Sequence, residues 1–218
     1  AKIKSLAFQP RMMHLDNPPP EFSSVGFQRL PAVLHSDGNG VDEDVVKDLA
    51  AKYPEGLLNP DPKDAAKADN VTKYIYPKFC EYMHGGDISE LEAALQGLEQ
   101  YLREGEHNFL FGDEMSLLDC IVLPQLHVIR VVLERVKDVP IPGEIGSRLW
   151  MYMFHGYQRK QFIKTCPTDM EICLDWAAQV GVPESDIKMP EWLPKDHHGS
   201  YYSFGVPNIC VCPQPAIE

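Results

Sequence analysis

The sequence predicts an α+β protein in which a short region of strands and turns precedes a long all-helical region. Three observations predict it. The first forty residues alternate short apolar runs with Pro-, Gly- and Asn-rich breaks. From about residue 60 to about 180, apolar residues recur at helical spacing. Beyond 182 the periodicity stops, and Pro183, Pro190, Pro194, Pro207, Pro213 and Pro215 punctuate the chain. The organisation expected is a strand-and-turn unit over 1–52, a helical domain over 60–180 and an irregular tail over 182–218.

Composition narrows the function classes. The 218 residues carry 20 basic and 32 acidic side chains, a formal net charge of −12. Nucleic-acid and anionic-lipid surfaces call for clustered Lys and Arg, so neither is indicated. With 44% apolar and 24% charged residues the chain is globular in composition. No apolar run reaches the length of a bilayer-spanning helix, and no signal-peptide pattern follows Ala1.

Each element has a local reason. Arg11-Met12-Met13-His14-Leu15 reads as a strand, closed by Asp16-Asn17-Pro18-Pro19-Pro20, a run that continues neither helix nor ladder. Leu30 to His35 reads as a second strand, ended by the D-G and N-G pairs of Ser36-Asp37-Gly38-Asn39-Gly40. A short helix should follow with Asp42 as N-cap and Val45, Val46 and Leu49 on one face. Val71, Ile75 and Phe79 recur every four residues, with Pro77 placed to kink or shorten the run. Asp87-Ile88-Ser89-Glu90 opens a helix carrying Leu91, Leu95, Leu98 and Leu102, with Gly105 as its stop.

The most informative segment is Met115-Ser116-Leu117-Leu118-Asp119-Cys120. Ser116 at N-cap and Asp119 at N3 form a structural cap, with Met115 and Cys120 at staple positions. The helix runs to Arg135 and is apolar on most sides in its first half, so it should be the buried central helix. Further helices are expected near 143–163 and 168–180, with Trp150, Tyr152 and Tyr157 in the core.

The six cysteines fit no zinc module, and two of them lie in helical, apolar settings, which favours a reducing compartment. Cys120 reads as a packed thiol. Cys166 precedes Pro167 near a helix start, where a thiol pKa can fall, but no partner residue completes a reactive pair. His197, His198, Cys210 and Cys212 lack module spacing and read as solvated tail residues, so no metal site is assigned. His127 reads as a satisfied core or surface histidine.

Several of these segments resemble a known family. Leu30-Pro31-Ala32-Val33-Leu34 resembles the Leu-Pro strand start of thioredoxin-like domains, in which the proline is cis. Ser116-Leu117-Leu118-Asp119-Cys120 resembles the capping motif of the glutathione-transferase core helix. Asp119-Cys120 with Leu123-Pro124-Gln125-Leu126-His127-Val128-Ile129, and Phe162-Ile163-Lys164-Thr165-Cys166-Pro167-Thr168-Asp169, are similar to the chloride intracellular channel family. Asp16-Asn17-Pro18-Pro19-Pro20-Glu21-Phe22 and the short link from Leu102 to Phe109 resemble its invertebrate members. The resemblance covers about residues 6–180. It implies a partial thioredoxin-like unit followed by an all-α transferase-like domain. It also implies a cytoplasmic protein that associates with membranes and is linked to anion conductance.

The family's redox nucleophile and proposed membrane-inserting segment belong to a first strand and helix that would precede Ala1; Ala1-Lys2-Ile3-Lys4 resembles the end of that helix. No catalytic residue is therefore assigned. Leu30, Pro31 and Asp42 remain as parts of a glutathione-like site. Pro31 would set backbone groups for an added peptide strand, and Asp42 matches an acidic position of the family. No cofactor is read from the residues themselves; glutathione is the ligand that the resemblance implies, with membrane lipids and protein partners alongside it and no nucleic acid. Two other readings stand beside the channel-type protein: a glutathione-dependent thiol oxidoreductase or transferase, and a non-catalytic interaction scaffold.

Overall fold

The computed structural model describes residues 18–53, 57–141, 147–189 and 201–204. The chain divides into two compact units, Ala1–Leu57 and Leu58–Glu218. The expected strand over 11–15, Ala1–Lys4, His197, His198, Cys210 and Cys212 lie outside the described residues.

In the first unit, helix α1 spans Pro20–Val25 and two-residue strands β1 (Val33–Leu34) and β2 (Gly40–Val41) form an antiparallel hairpin. Helix α2 follows at Val45–Lys52. The proline run was expected to exclude a helix, yet Pro20 opens one. At the first helical position its missing N–H costs nothing, and its fixed φ suits the turn. Gly26, at φ 84°, closes α1 in the left-handed conformation. Phe22 is buried, with its ring centroid 5.3 Å from that of Phe27.

The hairpin pairs Val33 with Val41 and Leu34 with Gly40. Its turn is held by the Asp37 carboxylate, which accepts from the Asn39 N–H at 3.0 Å, and by Gly38 at φ 86°. The strand is shorter than the six residues expected, because Leu30–Ala32 and His35 stay outside the ladder. Asp42 is not the cap of α2. That position belongs to Asp44, at φ 47° with no side-chain cap bond. Of the expected stripe on α2, Val45 is buried and Leu49 half-buried, while Val46 faces out.

In the second unit, α3 spans Pro62–Thr72 and α4 spans Ile75–Met83. The expected continuous run breaks at Lys73-Tyr74, and Pro77 falls in the first turn of α4, where a missing N–H is tolerated. Helix α5, Ile88–Gly105, starts on Asp87, which accepts from the Ser89 N–H at 3.0 Å. Glu90 does not close a reciprocal box; it lies 3.5 Å from Lys78. All four stripe leucines of α5 are buried. Gly105 is the last helical residue, and Glu106 takes the left-handed cap at φ 54°.

Helix α6 spans Leu117–Val132 and continues into a π-helical turn at Leu133–Lys137. It packs on α4, on α7 (Arg148–Tyr157) and on α9 (Asp169–Val180), which makes it the spine of this unit as expected. Its second half is the more completely buried, with Ile129, Val131 and Val132 fully enclosed. The expected helix over 143–163 is divided: α7 ends at Tyr157, and α8 occupies Lys160–Thr165. Glu99 of α5 accepts from the Arg148 and Leu149 N–H groups at 3.2 and 2.7 Å, satisfying orphan donors at the start of α7. A 3₁₀ turn at Glu184–Asp186 follows α9, and Tyr201–Phe204 returns onto the helices.

Candidate functional site

The Leu30-Pro31 bond is cis, as the resemblance implied. Leu30 is 43% exposed, and no hydrogen bond among the described residues uses its backbone N–H or C=O. The approach to this bond is fixed by Asp42. One oxygen, Oδ2, accepts from the Gln28 N–H at 2.6 Å and from the Arg29 N–H at 3.1 Å. The Gln28 donor is the main reason that the Asp42 carboxyl sits below the ordinary carboxylate range. Arg29 also pairs with Glu43 at 2.5 Å on the surface. Asp42 is therefore joined to the residue that precedes Leu30, and the three predicted site residues are brought to one end of the hairpin. What they present is a bent run of backbone, residues 29–31, outside the ladder, whose approach is held by the Asp42 carboxylate. That arrangement can accept an added peptide strand through main-chain groups.

The head of α6 is the most completely satisfied polar cluster among the described residues. The Ser116 hydroxyl accepts from the Asp119 N–H at 3.3 Å, and Asp119 Oδ2 accepts from the Ser116 N–H and hydroxyl at 2.7 and 2.6 Å. The other oxygen, Oδ1, accepts from the Leu110 N–H at 3.0 Å and from the Tyr152 hydroxyl at 2.9 Å. The capping box expected from Ser116 and Asp119 is present. Its carboxylate also ties α6 to the preceding loop and to α7. Its chemistry is structural: every donor points inward and none faces solvent.

The described thiols offer no activated nucleophile at Cys80, Cys166 or Cys173. Burial pushes Cys166 and Cys173 up to about 12 and raises Cys80. Cys166 does not stand at a helix start. It caps the C-terminal end of α8, where the helix dipole disfavours a thiolate, while Thr168 caps α9. Among the described residues, no cluster of His, Cys, Asp or Glu could hold a metal ion.

A third cluster escaped the sequence reading. Arg130 of α6 is 3% exposed, and its Nε donates to the Tyr157 hydroxyl at 3.1 Å. That hydroxyl lies 3.0 Å from His127 Nδ1. Since Arg130 can only donate, Tyr157 passes its own proton toward Nδ1, which places the imidazole proton on Nε2. Burial, with Arg130 beside it, holds His127 down to about 3. Arg130 Nη2 donates to the Ser203 carbonyl and to its hydroxyl, the latter at 2.9 Å. Asp169, fully buried, accepts from the Ser203 N–H at 3.0 Å and from its hydroxyl. The start of α9 beside this cluster falls where the helix near 168–180 was expected, capped by Thr168 and Glu171; nothing local in the sequence points to residue 203.

Comparison with known proteins places this geometry. The family profile described as "Glutathione S-transferase, C-terminal domain" matches residues 66–153, the helices from α3 into α7. The chain is 28% identical over 188 residues to "Chloride intracellular channel exl-1" of Caenorhabditis elegans, covering 84% of this chain and 77% of the relative. Its fold is similar to the crystal structure of the CLIC homologue EXC-4 from C. elegans, at TM-score 0.60 and 18% identity, over 81% of this chain and 73% of that one. It is equally similar, at TM-score 0.60 and 18% identity, to the crystal structure of Chlamydomonas reinhardtii dehydroascorbate reductase, over 75% of this chain and 78% of that one. With its capped, buried α6, the chain carries the helical domain described by the glutathione-transferase profile and is similar in sequence and fold to chloride intracellular channel proteins.

Proposed function

We propose that this protein acts as a chloride intracellular channel-type protein: a cytoplasmic, transferase-like body that associates with membrane lipid and supports anion passage. The observation that carries this reading is the match over 84% of the chain to a relative bearing that name. Among the described residues no helix is long and apolar enough to cross a membrane. Conduction would thus fall to a rearranged or assembled form, or to segments beyond the described ones. The net charge of −12 disfavours anionic lipid, so zwitterionic vesicles are the suitable probe. The test is chloride efflux from such vesicles on addition of the full chain. Efflux that rises with protein concentration supports the reading, and efflux no faster than from protein-free vesicles contradicts it.

The hairpin favours a second reading, glutathione recognition in a thiol oxidoreductase. A tripeptide laid against Leu30 would gain main-chain bonds beside Pro31, with Asp42 holding the approach through Gln28 and Arg29. Exchange needs a thiolate, and the raised values at Cys80, Cys166 and Cys173 mean that it must come from elsewhere. Reduction of a glutathionylated peptide by the full chain, with turnover, would favour this reading over the first. Vesicle efflux without such turnover would favour the channel.

A further inference from the structure

The contacts of Tyr201–Phe204 are those of a bound peptide. Its backbone is read at three points. The Tyr201 carbonyl accepts from the Asp169 N–H at 2.9 Å, an orphan donor of the α9 N-terminus. The Ser203 N–H donates to Asp169 Oδ1, and the Ser203 carbonyl accepts from Arg130. The Ser203 hydroxyl sits between the two buried charges, donating to Asp169 and accepting from Arg130. The Phe204 ring stacks on His127, at 5.6 Å between centroids and 28° between planes, and packs obliquely on Tyr157 and edge-on to Phe162. Tyr202 stacks on the outer face of Phe204, and Arg135 donates to the Tyr201 hydroxyl at 3.3 Å. The floor of this groove comes from α6, α7, α8 and α9, and it is complementary in charge to a serine backbone: a cation for the carbonyl and an anion for the N–H. With the segment in place both charges are buried and paired to its backbone, and losing either partner in a site that stays closed is costly for a charged group.

We infer that this groove of the helical unit is a peptide-recognition site for an extended aromatic–Ser–aromatic segment, filled by the chain's own Tyr201–Phe204 and equally able to take the same segment of a second copy. Eleven residues, 190–200, join the segment to the body; fully extended they span roughly 40 Å, enough to reach a neighbouring molecule. Exchange of an identical element between copies makes every contact again at little cost, so concentration and connector geometry decide between the two arrangements.

The probe is a labelled synthetic peptide matching residues 199–206, added to the full-length chain. The wild-type chain competes through its own segment at an effective concentration of about millimolar, so its binding is weak. Full-length Phe204→Ala, with its own anchor removed, should bind the peptide at least ten-fold more tightly. A peptide with Ser203→Ala should bind that variant at least ten-fold less tightly. In parallel, concentrated wild-type chain should form dimers that excess peptide returns to monomers. A folded Phe204→Ala chain with no gain in binding, or with no preference for the serine, overturns the site. Peptide binding by a chain that stays monomeric up to about 1 mM overturns the second copy as occupant. Should Phe204→Ala fail to fold, hydrogen exchange on the wild-type chain decides. Amides of 201–204 exchanging at least ten-fold faster than those of α6 show that the groove empties on its own and support the inference. Exchange in step with α6 overturns it.

Discussion

Asp119 accepts from four donors contributed by Leu110, Ser116 and Tyr152, with no exposure to water. Removing the carboxylate strands all four in the core, where each buried unsatisfied donor costs about 1–3 kcal/mol before relaxation. Asp119→Ala is expected to lower unfolding stability by about 3–5 kcal/mol in urea, and Tyr152→Phe, which deletes one donor and leaves none unmet, by about 1 kcal/mol. His127 gives a pH dependence whose sign is fixed. Its folded-state value of about 3 lies below the unfolded value of 6.5, so protons bind the unfolded chain more tightly. The stabilisation is fully present above pH 6.5 and is lost as pH falls toward 3. Between pH 7.5 and 5 the fold should lose about 2 kcal/mol from this residue, a slope that His127→Gln should remove from urea titrations. Ser116–Asp119 was legible in the sequence because a capping box is a matter of three residues' spacing. The bonds from Leu110 and Tyr152 were not, because they come from nine and thirty-three positions away. Asp42 misled for the opposite reason. Its residue type and position suit a helix cap, but the Gln28 and Arg29 N–H groups compete for the same carboxylate and win.

At the level of elements, periodicity located the helices better than their ends. The α5 stripe was readable because four leucines at helical spacing leave no other face to bury. Its end was misplaced by one residue because Glu106, rather than Gly105, takes the left-handed cap. The break between α3 and α4 was marked by Pro77, which has no N–H for the Lys73 carbonyl; the one between α7 and α8 carries no such mark. In the hairpin, a side chain at Gly40 would press into Val25 and the Phe27 ring. The close approach of α1 to β2 thus depends on hydrogen at that position. Gly40→Ala should cost about 1–3 kcal/mol by overpacking. Its signature in hydrogen exchange should be local, with faster exchange at Val33, Leu34 and Val41 and unchanged protection in α5 and α6.

Over the whole molecule, the order of a strand-and-turn unit followed by helices was visible from punctuation and periodicity alone. The place where residues 201–204 return was not, since the partners lie 34 and 73 positions away and an aromatic run without periodicity names no docking position. The two units carry different chemistry. The first offers exposed backbone at a cis-proline hairpin, and the second offers buried polar clusters, fully bonded at Asp119 but with His127 Nε2 lacking a partner among the described residues. The glutathione-recognition reading rests on the first of these. Amide spectra of the full chain titrated with reduced glutathione test it most directly. Saturable shifts at Arg29, Leu30, Ala32 and Val33, with α6 amides unmoved, are the expected result. No saturable shift up to about 10 mM, weaker than any millimolar affinity, or shifts confined to residues of the helical unit, would contradict it.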